Sequence, residues 1–273
     1  MRHHQAWMAA GAVLAAGLLA GGCSSTTEVV GTGTGGSAGG GGSAGLSGAA
    51  GGPSAASCPE NSGPVDPTAM IDDMEAPDPS ILMVGGRNGS WWSGGDMLSP
   101  AATIIPNGDA SAEVIPGGGR CGSHDAMHVT GQGFTSWAVL TASFRYGSVD
   151  GGAPGLLPLD AHDRTGITFW ARIGDTSANQ VRFGVSDKYS RPEGGVCDAS
   201  VSTGATGCYD TFGVDLAPLG TRWTQYRIPF SGLTQRNFGL PRDALDTSAL
   251  YTIDFNFYVN EIFDFWVDDI AFY

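Results

Sequence analysis

Two acidic groups hold the first residues that could do chemistry: Asp72, Asp73 and Glu75, then Asp268 and Asp269. Carboxylates brought to one spot repel unless a cation joins them, and oxygen ligands suit Ca2+. Asp72, Glu75, Asp268 and Asp269 are therefore the candidate calcium ligands; the competing reading is separate solvated carboxylates near strand ends. Paired carboxylates also serve as acid and base in glycoside hydrolysis. With 27 Asp and Glu in the chain, chance pairs are expected, and none stands out. His124-Asp125-Ala126-Met127-His128 imitates the H-E-x-x-H zinc motif, which needs a helix and a Glu base. Here Asp replaces Glu, and His128-Val129-Thr130 reads as a strand, on which the two His would sit about 13 Å apart. No Ser-His-Asp or Cys-His arrangement offers a nucleophile.

The aromatics suggest a binding face. Sugars lay C–H faces on Trp or Tyr rings, while Arg, Asp and Asn bond hydroxyls, so a site needs both kinds on one open surface. Ile167, Phe169 and Ala171 alternate with Thr168, Trp170 and Arg172. Val181, Phe183 and Val185 alternate with Arg182, Gly184 and Ser186. Ile253, Phe255, Phe257 and Val259 alternate with Asp254, Asn256 and Tyr258. By parity Trp170, Arg172, Arg182, Asn256 and Tyr258 point away from the apolar rows, and loop residues Arg87, Trp92 and Tyr189 are candidates for the rim. The competing reading is that these Trp are core and that any half-buried strand has a polar outer face. Trp223 and Trp266 read as packing residues.

Period-two alternation marks half-buried strands. Trp223–Phe230 and Phe263–Phe272 are further apolar-rich runs, and only Pro241–Leu250 offers a short helix. Gly (44) and Pro (15) are plentiful and only 15% of the 273 residues are charged, which suits strands and turns. The expected fold is all-β, a β-sandwich of jelly-roll type over residues 58–273. The formal charge of −14, with 13 Arg and Lys, argues against nucleic acid and against adhesion to anionic lipid.

Residues 1–23 read as an export signal whose apolar run, Ala6 to Ala20, is short for a spanning helix. Its end, Leu19-Ala20-Gly21-Gly22-Cys23, resembles the lipobox of bacterial lipoproteins, although Ala20 stands where Leu is usual. That resemblance implies lipid on Cys23 and a place on the bacterial outer membrane or cell surface; an unused lipobox would mean secretion. Residues 24–57 hold 12 Gly and one charge, Glu28, too little apolar surface to order. As a flexible linker they would reach roughly 30 Å. Setting Cys23 aside leaves Cys58, Cys121, Cys197 and Cys208, an even count suggesting two disulfides. The eleven-residue separation favours Cys197 with Cys208, leaving Cys58 with Cys121.

Five motifs in order complete the reading: Met70-Ile71-Asp72-Asp73-Met74-Glu75, Gly131-Gln132-Gly133-Phe134, Gly166–Arg172, Trp223–Phe230 and Phe265–Phe272. The series resembles galactose-binding-like jelly-roll carbohydrate-binding modules, most of all family 11, over about residues 70–273. It is similar more distantly to the complex I intermediate-associated proteins, whose role an exported chain would not share. The resemblance implies a structural calcium near the acidic groups and non-catalytic binding of a polysaccharide, a β-glucan or another cell-wall glycan. The alternatives are a structural or adhesion protein of the cell surface and a glycan hydrolase or lyase on a jelly roll.

Overall fold

The computed structural model of the chain describes residues 66–148, 152–201, 203–216 and 218–273. The export signal, the linker, Cys23 and Cys58 lie outside these residues, as does the side chain of Cys121. The strands are β1 (Met70–Asp72), β2 (Trp91–Gly95), β3 (Thr103–Ile105), β4 (Gly108–Asp109), β5 (Glu113–Val114), β6 (Asp125–Gln132), β7 (Ala138–Ser143) and β8 (Arg145–Gly147). They continue with β9 (Gly155–Leu157), β10 (Gly166–Ile173), β11 (Val181–Asp187), β12 (Phe212–Leu216), β13 (Thr224–Pro229), β14 (Leu250–Phe257) and β15 (Phe263–Phe272).

Two antiparallel sheets form the sandwich. One runs β13-β10-β15-β6-β3, with β1 beside β15 and β5 beside β6; the other runs β12-β11-β14-β7-β2-β4. The chain crosses repeatedly between layers, so β10 and β11 are consecutive yet lie in opposite sheets. The inward rows are those the alternation marks: Ile167, Phe169, Val181, Phe183, Val185, Ile253, Phe255 and Phe257 are buried in one core. Phe169, Phe183 and Phe265 ring Phe255 with centroids 5.0–5.6 Å away. Each such side chain contributes roughly 1.5–3 kcal/mol by leaving water, which holds the sheets together with no α-helix among the described residues to cover them.

Two expectations change. Pro241–Leu250 forms turns rather than a helix. There Asp246 Oδ1 accepts the Ser248 N–H and hydroxyl, and the Asp246 N–H donates to Asp187 Oδ2 at 3.0 Å. These side-chain bonds satisfy the backbone locally and compete with helix formation. Strand β11 is buried at all seven positions, not at alternate ones. Its inner face meets the core, and loops fold over its outer face.

Candidate functional site

The outer face of the six-stranded sheet gathers the most chemistry. Register places Asp215, Arg182, Asn256, Val139 and Gly94 in one row across β12, β11, β14, β7 and β2. The next row reads Gly213, Gly184, Asp254, Thr141 and Trp92, and continues to Asp109 on β4. These residues face outward because their neighbours along each strand, among them Trp91, Leu140, Phe183 and Phe255, fill the core. Trp92 is 38% exposed. Its indole lies along β2, with the far end of its six-membered ring where a side chain on Gly94 would be. Trp137, 46% exposed, stands one position beyond the Phe257–Ala138 pair, level with Tyr258.

Between these aromatics the face is polar. Thr141 donates its hydroxyl to Asp254 Oδ1 at 2.6 Å. Burial pushes the Asp254 carboxyl up, against the pull of Arg191 and the Thr141 hydroxyl. Arg182 lies over Gly213 and donates to the Thr234 carbonyl at 2.5 Å and to Asp215 at 3.4 Å. Arg236 donates to the Tyr258 hydroxyl at 3.0 Å and to Asp215 at 3.3 Å. Burial, then a hydrogen bond with Asp215, raises the Tyr258 hydroxyl above its ordinary range.

Buried carboxylates hold the walls. Asp210 accepts the N–H groups of Arg236, Phe238 and Gly239 at 2.8–3.2 Å, fixing the 236–239 loop. Asp187 accepts those of Tyr189, Ser190 and Asp246. The Cys197–Cys208 disulfide closes the long loop after β11, pairing the two cysteines as expected from their spacing. Within that loop Arg191 Nε meets Glu193 at 3.4 Å. Asp96 bonds the N–H groups of Thr135, Ser136 and Trp137, which fixes the backbone on which Trp137 stands.

The nominated residues do not share one surface. Arg182, Asn256, Tyr258 and Trp92 lie on this face. Trp170 and Arg172 are on β10, in the other sheet, and point to the opposite side of the sandwich. Trp170 is 5% exposed, covered by the Arg120 guanidinium 3.9 Å from its ring centre. Arg172 stacks against Trp223 and Trp266 at 5.2 and 4.8 Å. Arg87 is buried and donates to the Thr68 and Met70 carbonyls, tying down the entry to β1. The Tyr189 ring is capped by Arg242 at 4.0 Å. Trp266 packs with Ile115 and Ala126, and Trp223 lies against them, as expected of packing residues.

The acidic groups do come side by side, because β1 pairs with β15. Asp72 accepts the Trp91 indole N–H at 2.7 Å and the Met74 N–H at 3.1 Å. Glu75 accepts the His124 N–H at 3.0 Å. Asp268 accepts the Ser123 hydroxyl and the Asp269 N–H at 2.8 Å each, while Asp269 pairs with Arg120. Among the described residues no three or more His, Cys, Asp or Glu are arranged to hold a metal, so the expected calcium ligands do not form such a set. The cation observed at these strand ends is Arg120. His128 lies between Glu113 and Asp264 and stacks on Trp266 at 3.7 Å; it forms no zinc pair with His124.

Thr141, Trp137 and Asp210 escaped sequence reasoning. Strand β7 reads Ala138-Val139-Leu140-Thr141-Ala142-Ser143, with small or apolar residues on both faces, so its alternation is faint. Asp210 stands in a Gly- and Thr-rich loop where nothing signals burial. Asp254 was legible as an outward residue, but not as the buried centre of a row.

No protein-family model and no curated protein matches the chain. Among solved structures the chain is similar to a family 11 carbohydrate-binding module from Clostridium thermocellum in complex with a β-1,3-1,4-mixed-linked tetrasaccharide. Identity is 20% and TM-score 0.46, over 75% of this chain and 94% of that one. It is similar also to a family 30 module of a cellulosomal cellulase of the same organism, at 16% identity and TM-score 0.46, over 76% and 96% of the two chains. An exo-1,3/1,4-β-glucanase from Pseudoalteromonas sp. matches at 14% identity and TM-score 0.39, over 78% of this chain and 21% of that one. At these identities and TM-scores none of the likenesses assigns a ligand or an activity to this chain.

Proposed function

We propose that this protein binds a polysaccharide, without catalysis, on the outer face of its six-stranded sheet. The observation that supports this reading is Trp92: an exposed indole laid along an outer strand, in the same row as Thr141 and Asp254. The ring would take the C–H face of a pyranose while Asn256 and Thr141 meet its hydroxyls, with the buried Asp254 carboxyl holding the Thr141 hydroxyl in place. A β-glucan or similar cell-wall glycan is the ligand class that the motif resemblance implies. Lipid on Cys23 would hold the domain to the bacterial outer membrane or cell surface across the 24–57 linker.

The test is gel retardation of the full chain in soluble β-1,3-1,4-glucan, hydroxyethyl cellulose and xylan, with reducing-sugar release measured alongside. The wild type should be retarded by at least one of them. Trp92→Ala should weaken retention about thirtyfold, the effect of losing an aromatic anchor worth about 2 kcal/mol. No retention by the wild type would replace this reading with a structural or adhesive one, and released sugar would make the protein a hydrolase.

A further inference from the structure

Gly94 sits two residues after Trp92 on the same outer face of β2. A glycine inside a strand weakens it and calls for a reason. Backbone conformation is not the reason, since Gly94 is absent from the described residues with positive φ. The space above it is the reason: a Cβ there would lie 2.1 Å from Cη2 of Trp92, 2.7 Å from Cζ2 and 2.9 Å from Cζ3. Real Cβ atoms do not approach other atoms so closely. All three atoms belong to the six-membered ring of the indole, and Gly94 is buried beneath it.

We infer that Gly94 is a positioning residue for glycan binding, whose missing side chain lets Trp92 lie along β2. This rests on the reading of the outer face given above. Any side chain at 94 moves the ring, because the backbone of β2 is held on both edges, by β7 and by β4. The indole then stands off the sheet, away from the row of Val139 and Asn256 towards which it lies. Affinity falls without any ligand-contacting group having been removed.

The contact is specific to a long ring, and a double-mutant cycle isolates it. Phenylalanine at 92 lacks the benzo atoms that meet a methyl at 94. The four proteins are wild type, Gly94→Ala, Trp92→Phe and the double variant, each as the full chain, titrated with soluble β-1,3-1,4-glucan and hydroxyethyl cellulose. Gly94→Ala should weaken binding about tenfold or more in the wild-type background, but about twofold or less when residue 92 is Phe. Equal losses in both backgrounds would assign the effect to strand damage and overturn the inference, as would wild-type affinity in Gly94→Ala. Should Gly94→Ala fail to fold, recovery of folding in the double variant supports the contact and lack of recovery overturns it. A wild type that binds neither polysaccharide removes the glycan face itself, and the inference with it. If Trp92→Ala loses binding while Gly94→Ala does not, only the inference fails.

Discussion

Asp210 is the residue whose removal should most directly connect folding to the binding face. Its side chain is 1% exposed. Oδ1 accepts the Arg236 N–H at 2.8 Å, and Oδ2 accepts those of Phe238 and Gly239 at 2.9 and 3.2 Å. A hydrogen bond to a charged group contributes about 1.5–3 kcal/mol, so three would sum to about 4.5–9 kcal/mol. That is a ceiling, because the 236–239 loop can swing into water and solvate the freed N–H groups. Asp210→Ala should therefore cost about 2–4 kcal/mol in urea unfolding. Asp210→Asn keeps one acceptor oxygen; turned toward Phe238 and Gly239, it leaves the Arg236 N–H facing an amide NH2, and should cost about 1–2 kcal/mol. Freeing the loop also withdraws Arg236 from Tyr258 and Asp215, so polysaccharide affinity should fall in the same order as stability. Hydrogen exchange locates the effect: the amides of Arg236, Phe238 and Gly239 should lose protection before those of β11 and β14. If Asp210→Ala unfolds within about 0.5 kcal/mol of wild type, or these amides stay protected, the carboxylate does not hold the loop.

Burial and the neighbouring Asp269 push the Asp268 carboxyl from 3.8 to about 7; burial likewise pushes Asp72 to about 6. The folded state thus binds the extra protons, so their stabilisation is complete below pH 3.8 and is lost as pH rises through about 6 and 7. For Asp268 alone the gain from pH 8 to pH 5 is about 2–3 kcal/mol, and Asp268→Asn should abolish it while raising stability at pH 8. If Asp268→Asn is instead destabilised at pH 8 in calcium but not in chelator, a bound cation holds this carboxylate after all. Cys23→Ser should move the protein from membrane to soluble fractions; an unlipidated mature start on the wild type, read by mass spectrometry, would end the tether reading.

Much of the fold was legible because a strand's period of two separates inward from outward residues by local pattern alone. Phe169, Phe183 and Phe255 were assignable to the core before any coordinates. The short span between Cys197 and Cys208 made their pairing the simplest one, and the acidic chain ends did meet through β1 and β15. Parity, however, says only in or out, never which layer. Trp170 and Arg182 share an outward reading, yet β10 and β11 lie in opposite sheets, so the two residues face opposite sides of the sandwich. Nor does a local pattern show what covers an outward residue. Arg120, fifty positions before Trp170, closes over its ring, while Trp92 stays open, lying along its strand over Gly94. Layer, covering and open surface depend on pairings between residues far apart in the chain, and those form only when the sheets assemble.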